Sequence, residues 1–195
     1  MKPTPGGAVV RMYCAGFGDC FLLAFAGKKD KPVYVWIDCG ALPHESMPGG
    51  PKLWFTKILQ SIQRTVGERG VRLLVVTHKH LDHLSGFYDA RDVFKDIGVQ
   101  EVWLPWTDDP EDDTALSLVA RERGLLRVAR MAAARLRVAP GLDDPSMTGL
   151  RAGVESLLQF SGNLAAVGVS TDSLLKVVTD KRSPEYLKPS LTPAL

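Results

Sequence analysis

Short apolar runs separated by turn residues fill the first half of the chain and predict β-strands. They are rich in β-branched and aromatic residues and are bounded by Gly, Pro, Asp or Lys, which is typical of strands. The two turns between the first three runs are short and predict an antiparallel start to a sheet. The predicted strands are Val9–Cys14, Cys20–Phe25, Val33–Asp38, Arg72–Thr77 and Glu101–Trp106.

Apolar positions at helical spacing predict an amphipathic helix over Lys52–Val66, ended by Gly67. A short helix over Phe87–Phe94 connects the last two predicted strands, and such a crossover favours parallel pairing with a right-handed connection. Three further helices are predicted after the last strand, and a proline-rich tail without a core pattern follows them. These helices are Thr114–Val138, Met147–Phe160 and Thr171–Asp180.

The pattern therefore predicts an α/β protein in two parts. Residues 1–106 hold all five predicted strands, and residues 107–195 form a mostly helical insertion or extension that ends in the proline-rich tail. The amino-terminal part brings strands and helices into one core, whereas the second part shows no strand pattern.

Composition narrows the class of protein. Hydrophobic residues make up 45% and charged residues 24%, which excludes a disordered or collagen-like chain. The net charge of +2 gives no global attraction to nucleic acid. No apolar run reaches the ~20 residues of a membrane helix, and the first residues lack the apolar segment of a secretory signal. Three cysteines without a C-x-x-C pair fit reduced thiols and predict a cytoplasmic protein without a membrane partner.

Three of the four histidines lie within six residues, in the sequence T-H-K-H-L-D-H-L-S-G that follows a predicted buried strand. His78 and His80 are two apart on the extended exit of that strand, so their rings point the same way and can share a metal. Asp82 and His83 lie where the chain turns into a helix, which directs them toward a second position. Paired metals about 3.5–4 Å apart activate water for hydrolysis. Imidazole and carboxylate ligands suit zinc, and manganese and iron stay open.

The same residues resemble the H-x-H-x-D-H-x-x-G signature of the metallo-β-lactamase superfamily, with Gly86 in place. Upstream, C-A-G-F-G-D-C-F-L-L and V-W-I-D-C-G resemble the branch related to the C-terminal domain of DNA-uptake competence proteins. The resemblance covers about residues 8–106. It implies the N-terminal half of an αββα sandwich and a hydrolase with two zinc ions. A metal-bound hydroxide would attack an ester, a phosphodiester or an amide.

The resemblance also implies roles for individual residues. It assigns His78 and His80 to the first metal and Asp82 and His83 to the second. Asp82 would in addition be catalytic, orienting the attacking water. Asp38, at the end of its strand, matches the aspartate that braces the histidine loop, an orienting role that metal ligands commonly need.

The chain departs from that pattern because no histidine follows His83. The family places a third histidine, a bridging aspartate and a last histidine later in the chain. The expectation is a shortened product or a fragment of a longer hydrolase, with impaired activity. His44 and the acidic run 108–113 are weak substitutes for the missing ligands. The alternative is a non-catalytic remnant or interaction module that self-associates through an uncovered sheet face.

Six arginines give the predicted helix 114–138 a basic character, which leaves a nucleic-acid contact open beside a small-molecule or phosphodiester substrate. A solvated helix face is the favoured interpretation, because no aromatic residues interleave for base stacking. The six are Arg121, Arg123, Arg127, Arg130, Arg135 and Arg137.

Overall fold

Six strands form one mixed sheet in the order β1-β2-β3-β4-β5-β6, so the chain is a mixed α/β protein as predicted. This computed structural model describes residues 1–28, 31–42, 47–137, 148–150, 152–154, 171–180 and 182–188. The strands are β1 (Ala8–Met12), β2 (Phe21–Phe25), β3 (Val33–Ile37), β4 (Val71–Val75), β5 (Val99–Pro105) and β6 (Glu185–Leu187).

The sheet changes from antiparallel to parallel at β3. β1 pairs antiparallel with β2, and β2 with β3, whereas β3, β4, β5 and β6 pair in parallel. The predicted antiparallel start and the parallel pairing across the crossover are confirmed. β6 lies in the tail, where no strand was predicted. Its three residues carry no pattern of their own and are extended by pairing with Trp103–Pro105.

Five helices are described in full. The helix predicted to begin at Phe87 begins at Leu81 instead, because the residues after His80 form its first turn. Of the helix predicted over 147–160, residues 148–150 and 152–154 are helical and the others lie outside the described residues. The five are α1 (Gly50–Val66), α2 (Leu81–Asp89), α3 (Arg91–Phe94), α4 (Asp113–Arg137) and α5 (Thr171–Thr179).

The chain divides by its internal contacts into two units. The first comprises Met1–Pro105 and Thr171–Leu195, and the second comprises Trp106–Ser170. In the first unit α5 packs against α2, and β6 extends the sheet beside β5. In the second unit α4 packs against the short 3-10 helix Trp106–Asp108.

The core of the first unit lies between the sheet and its helices. Trp36 is fully buried, and its ring lies 5.0 Å from the ring of Phe87 on α2 and 5.8 Å from that of Phe94 on α3, between centroids. Arg11, on the same face of the sheet, donates to the Thr65 hydroxyl of α1 at 3.0 Å. These contacts define the helix face of the sheet, which also includes Leu22, Ala24, Leu74, Val102 and Leu104.

The alternate residues of the same strands form the open face, which is mostly apolar and, apart from the fully buried Val71, only partly buried. Val10 and Met12 on the edge strand β1 are 60% and 62% exposed. Beside them the open face carries Phe21, Leu23, Phe25, Val33, Val35, Ile37, Leu73 and Val75. Across the described ranges, none of the helices combines the length and the apolar character that crossing a bilayer requires.

Candidate metal centre

The predicted metal motif lies at the edge of the sheet where β3 and β4 end. The two strands are parallel and in register, with Ile37 opposite Val75. Asp38 follows β3 directly, and Thr77 and His78 follow β4 on the loop that leads into α2. Parallel pairing therefore brings the carboxylate of the first strand and the histidine loop of the second to one edge.

Asp38 is the hydrogen-bonding hub of this edge. One carboxylate oxygen accepts the Thr77 backbone N–H at 2.8 Å. The other accepts the Thr77 hydroxyl at 2.6 Å and pairs with His83 Nδ1 at 2.8 Å. The side chain is 1% exposed, so these bonds satisfy a carboxylate that burial would otherwise destabilise. Asp38 thus ties the histidine loop to the end of β3.

The backbone of Asp38 adopts a left-handed conformation with φ 51°, unusual for a residue with a side chain. Neighbouring bonds hold it there. Its N–H donates to the Val75 carbonyl at 3.0 Å, and its carbonyl accepts the indole N–H of Trp36 at 2.9 Å. Non-glycine residues in this region are commonly found at functional sites, where the surrounding structure maintains the strain.

The bond to Asp38 determines which nitrogen of His83 faces the site. An ionised carboxylate only accepts, so the proton of this bond belongs to Nδ1. In the neutral imidazole Nε2 is then left with a free lone pair, and it lies 3.4 Å from an Asp82 carboxylate oxygen. A histidine held through one nitrogen by a carboxylate and offering the other is the usual arrangement of a metal ligand.

His78, Asp82 and His83 form a group that could hold a metal ion. Each offers one ligand atom, and these atoms all lie within 4.8 Å of one another. The rings of His78 and His83 are 3.8 Å apart between centroids. Two imidazole nitrogens and a carboxylate oxygen suit zinc, manganese or iron, so the donor set fits the class of ion that the sequence predicts.

Burial lowers the pKa of His78 from its ordinary value, and the neighbouring His83 and His80 lower it further. Asp38 and Asp82 act in the opposite direction but are the smaller influences. The net effect favours the neutral imidazole near neutral pH, which is the form that binds metals.

His80 lies beside this group without being part of it. Its ring meets the ring of His78 edge-on, with 4.6 Å between centroids. Its backbone begins α2, and its carbonyl accepts the N–H groups of His83 and Leu84, each at 3.1 Å. Among the described residues, neither cluster with metal-ligand spacing includes His80. Its assignment as a ligand stays a prediction.

Asp19 is a member of the site that the sequence analysis missed. With Asp38 and His83 it forms a second group whose ligand atoms lie within 4.8 Å of one another. The only signal was its place at the end of the Gly-x-Gly turn before β2. That turn approaches α2 closely, since the Asp19 N–H donates to the Asp82 carbonyl at 3.1 Å. Because Asp38 is already bonded to Thr77 and His83, the group containing His78 is the better metal candidate.

Two glycines allow the loop after β3 to pack against α2. A Cβ on Gly40 would lie 2.5 Å from the Leu81 carbonyl oxygen, and one on Gly86 would lie 2.6 Å from Cys39 Sγ. Between them the Cys39 N–H donates to the His83 carbonyl at 2.8 Å, and the Cys39 carbonyl accepts the Gly86 N–H at 2.9 Å. Burial raises the pKa of Cys39 well above its ordinary value, so this thiol stays protonated and is a poor metal ligand.

Of the substitutes considered for the missing ligands, the structure describes only the acidic run. His44 lies outside the described residues. In the acidic run 108–113, an Asp112 carboxylate oxygen accepts the Ala115 N–H at 2.9 Å, which caps α4. An Asp109 oxygen similarly accepts the Glu111 N–H at 2.9 Å within the same turn. The bonds shown at these two aspartates are those of a helix-capping loop.

The metal-site interpretation rests on this geometry. Comparisons of the chain with models of protein families, with curated proteins and with solved structures found no match.

Proposed function

We propose that this chain is a metal-dependent hydrolase of the metallo-β-lactamase type, with zinc as its ion. The observation that carries the proposal is the convergence of His78, Asp82 and His83 to within 4.8 Å at the end of a parallel strand pair. The bond from His83 to the buried Asp38 supports it, because a chance cluster of polar side chains needs no buried carboxylate to orient one ring.

In this proposal each residue has a distinct task. His78, Asp82 and His83 hold the ion, and His80, whose ring lies 4.6 Å from that of His78 between centroids, is the candidate for a further ligand. Asp38 is a positioning residue, which fixes the His83 ring and its proton. When bound, the ion supplies Lewis acidity and activates water for hydrolysis of an ester, a phosphodiester or an amide. A second zinc ion, as the resemblance implies, needs His80 and donors beyond the group of three.

The fold part of the proposal concerns the sheet. We infer that the sheet and its helices are one half of an αββα sandwich. The apolar open face supports this inference, since a sheet that packs against a second sheet carries apolar residues on both faces.

Metal binding tests the proposal directly. The protein is stripped of metal, returned to chelator-free buffer and titrated with zinc against a chromophoric chelator. His83→Ala and Asp82→Asn are each expected to lower the affinity for zinc more than about tenfold. Asp38→Asn is expected to lower it about 10–100-fold, which is typical of an orienting partner. Asp96→Asn on the exposed surface is the matched control, since it removes the same charge outside the motif and should bind zinc as the unaltered chain does.

Two results would contradict the proposal. One is an unaltered chain that retains no zinc, manganese or iron by elemental analysis. The other is a set of variants in which Asp82→Asn and Asp96→Asn bind zinc equally.

Turnover is then followed with p-nitrophenyl acetate and bis(p-nitrophenyl) phosphate, with and without added zinc. Hydrolysis that needs zinc and is lost in His80→Ala and His83→Ala is the expected result.

An interaction module without turnover is the second candidate, and the partly exposed apolar face favours it. It predicts no hydrolysis at any zinc occupancy and association that depends on protein concentration. Stoichiometric zinc with turnover lost in His80→Ala excludes it. Tight zinc binding without turnover of either substrate supports it over the hydrolase.

A further inference from the structure

A cavity of about 810 Å³ opens at the edge of the sheet opposite the candidate metal centre. Val33, Arg72 and Gln100, which line it, stand at or near the starts of β3, β4 and β5, whereas Asp38 and His78 follow the ends of β3 and β4. The volume falls within the range of about 300–1,000 Å³ that is usual for small-molecule sites. The cavity is therefore separate from the site already described.

Four cationic side chains line this cavity, and none of its described lining residues is acidic. All four are exposed. Glu101, which forms an ion pair with Arg72, stands next to the lining residue Gln100. The whole chain has a net charge of only +2, so this concentration of positive charge is local. The cavity with these four side chains, Lys28, Lys31, Arg69 and Arg72, is called the basic groove below.

Backbone contacts hold the walls of the basic groove in place. The Lys31 N–H donates to the Lys28 carbonyl at 3.3 Å, which links the two lysines between β2 and β3. Gly70, with φ 65°, leads from Arg69 into β4, and a Cβ there would collide with the Gly98 carbonyl. Two separately braced segments thus contribute cations to one cavity. Like charges that line the same cavity repel one another. A multiply charged anion would offset that repulsion.

We propose that the basic groove binds a small molecule that carries several linked phosphates. Lysine ammonium and arginine guanidinium groups both bind phosphate oxygens, arginine through paired N–H donors. Arg72 already pairs with Glu101, and a triphosphate carries enough negative charge to neutralise Lys28, Lys31 and Arg69 as well, whereas orthophosphate does not. The aromatic lining residue Tyr34 is buried, so the described lining of the groove offers no exposed ring for the base stacking that single-stranded nucleic acids use. A phosphate chain fits this groove better than an unstacked base.

The proposal is tested by calorimetric titration with sodium tripolyphosphate. The protein is first stripped of metal and dialysed free of chelator, so that no phosphate binds through an ion at the other edge. Saturable binding is expected, about tenfold or more tighter than that of orthophosphate, and weakening with added salt. Lys31→Ala combined with Arg69→Ala is expected to lower the affinity about tenfold or more. Lys52→Ala combined with Lys57→Ala removes the same charge from exposed positions on α1 and should leave it unchanged.

Lys31→Met removes one charge but keeps the apolar part of the side chain, so it disturbs the fold less than the double variant. Thermal unfolding reports whether each variant is folded. Absence of tripolyphosphate binding, or equal loss in both double variants, would overturn the proposal. Tighter binding of oligodeoxythymidine that is lost in the Lys31 and Arg69 variant would overturn it in favour of a nucleic-acid groove. Because the protein is free of metal throughout, each of these outcomes leaves the proposed hydrolase function untouched.

Discussion

The two faces of the sheet have similar side chains and very different surroundings. On the helix face, Leu22, Trp36 and Leu74 are fully buried under helices. On the open face, Val10 and Met12 are mostly exposed although they are equally apolar. Apolar runs without alternation are typical of strands buried on both faces. The comparison shows that the strand sequences are suited to burial on both faces of the sheet. Among the described residues, the helices bury the helix face far more completely than anything buries the open face.

Stability should therefore depend much more on the helix face than on the open face, unless a second copy of the chain covers the open face in solution. Neighbouring residues on one strand provide matched tests of this difference, because they share a backbone and differ only in the face they join. The first prediction below tests the packing of the helix face, and the others compare the two faces. Equal losses on both faces would show that the open face is covered.

Trp36→Ala is expected to have the largest effect. The substitution removes the ring that packs against Phe87 and Phe94 and deletes the indole bond to the Asp38 carbonyl. Large-to-small changes of this kind cost about 3–5 kcal/mol in the free energy of unfolding. Urea unfolding followed by circular dichroism measures the loss. Trp36→Phe keeps an aromatic ring and should lose much less, and a loss below about 1 kcal/mol for Trp36→Ala contradicts the packing described here.

Leu74→Ala and Leu73→Ala are the most direct matched pair. Leu74 is fully buried on the helix face, whereas Leu73 is half-buried on the open face. Leu74→Ala should cost about 2–5 kcal/mol and Leu73→Ala about 1 kcal/mol or less, since a partly exposed side chain leaves a smaller cavity. Unfolding midpoints at two protein concentrations provide the measurement. Equal losses that depend on concentration would establish self-association through the open face.

Strand positions could be predicted from the sequence because each apolar run is long enough to show its own pattern. Predicted Cys20–Phe25 and Val33–Asp38 differ from β2 and β3 by one residue at an end. β6 could not be predicted, because three residues become a strand only by pairing with β5. The start of α2 was predicted inexactly for a different reason. The turn into a helix was expected at Asp82 and His83 but the helix itself only from Phe87, whereas Leu81–His83 already form its first turn.

The candidate site divides in a similar way. His78, Asp82 and His83 could be selected from sequence because they stand together after one buried strand. Asp38 was assigned through the family resemblance, and the parallel pairing of β3 and β4 brings it to the edge where it bonds to His83. Asp19 could not be placed, since its approach to His83 depends on how a Gly-rich turn closes against α2. A tertiary contact of that kind leaves no local pattern in the sequence.

Enlarging a small side chain tests the same comparison in the opposite direction. Ala24 is fully buried on the helix face, whereas Ala8 is exposed on the open face of the edge strand. Ala24→Leu adds volume to a packed core and should cost about 1–3 kcal/mol. Ala8→Leu has space and should change the free energy of unfolding by less than about 0.5 kcal/mol. Thermal unfolding of both variants measures the two changes in stability. A large loss of stability in Ala8→Leu would mean that the space beside Ala8 is occupied in solution.

The smallest effect on stability is expected from Val10→Thr combined with Met12→Thr. Both side chains are exposed on β1, an edge strand of the sheet, so their replacement should change the free energy of unfolding by less than about 0.5 kcal/mol each. Exposed apolar edge strands promote pairing between chains, and threonine has the β-branched shape that strands favour. The double variant should therefore reduce concentration-dependent association, measured by analytical ultracentrifugation, while its unfolding curve stays close to that of the unaltered chain. A loss of stability as large as that of Leu74→Ala would instead place β1 inside a packed interface, and the difference between the two faces would then exist only in the isolated chain.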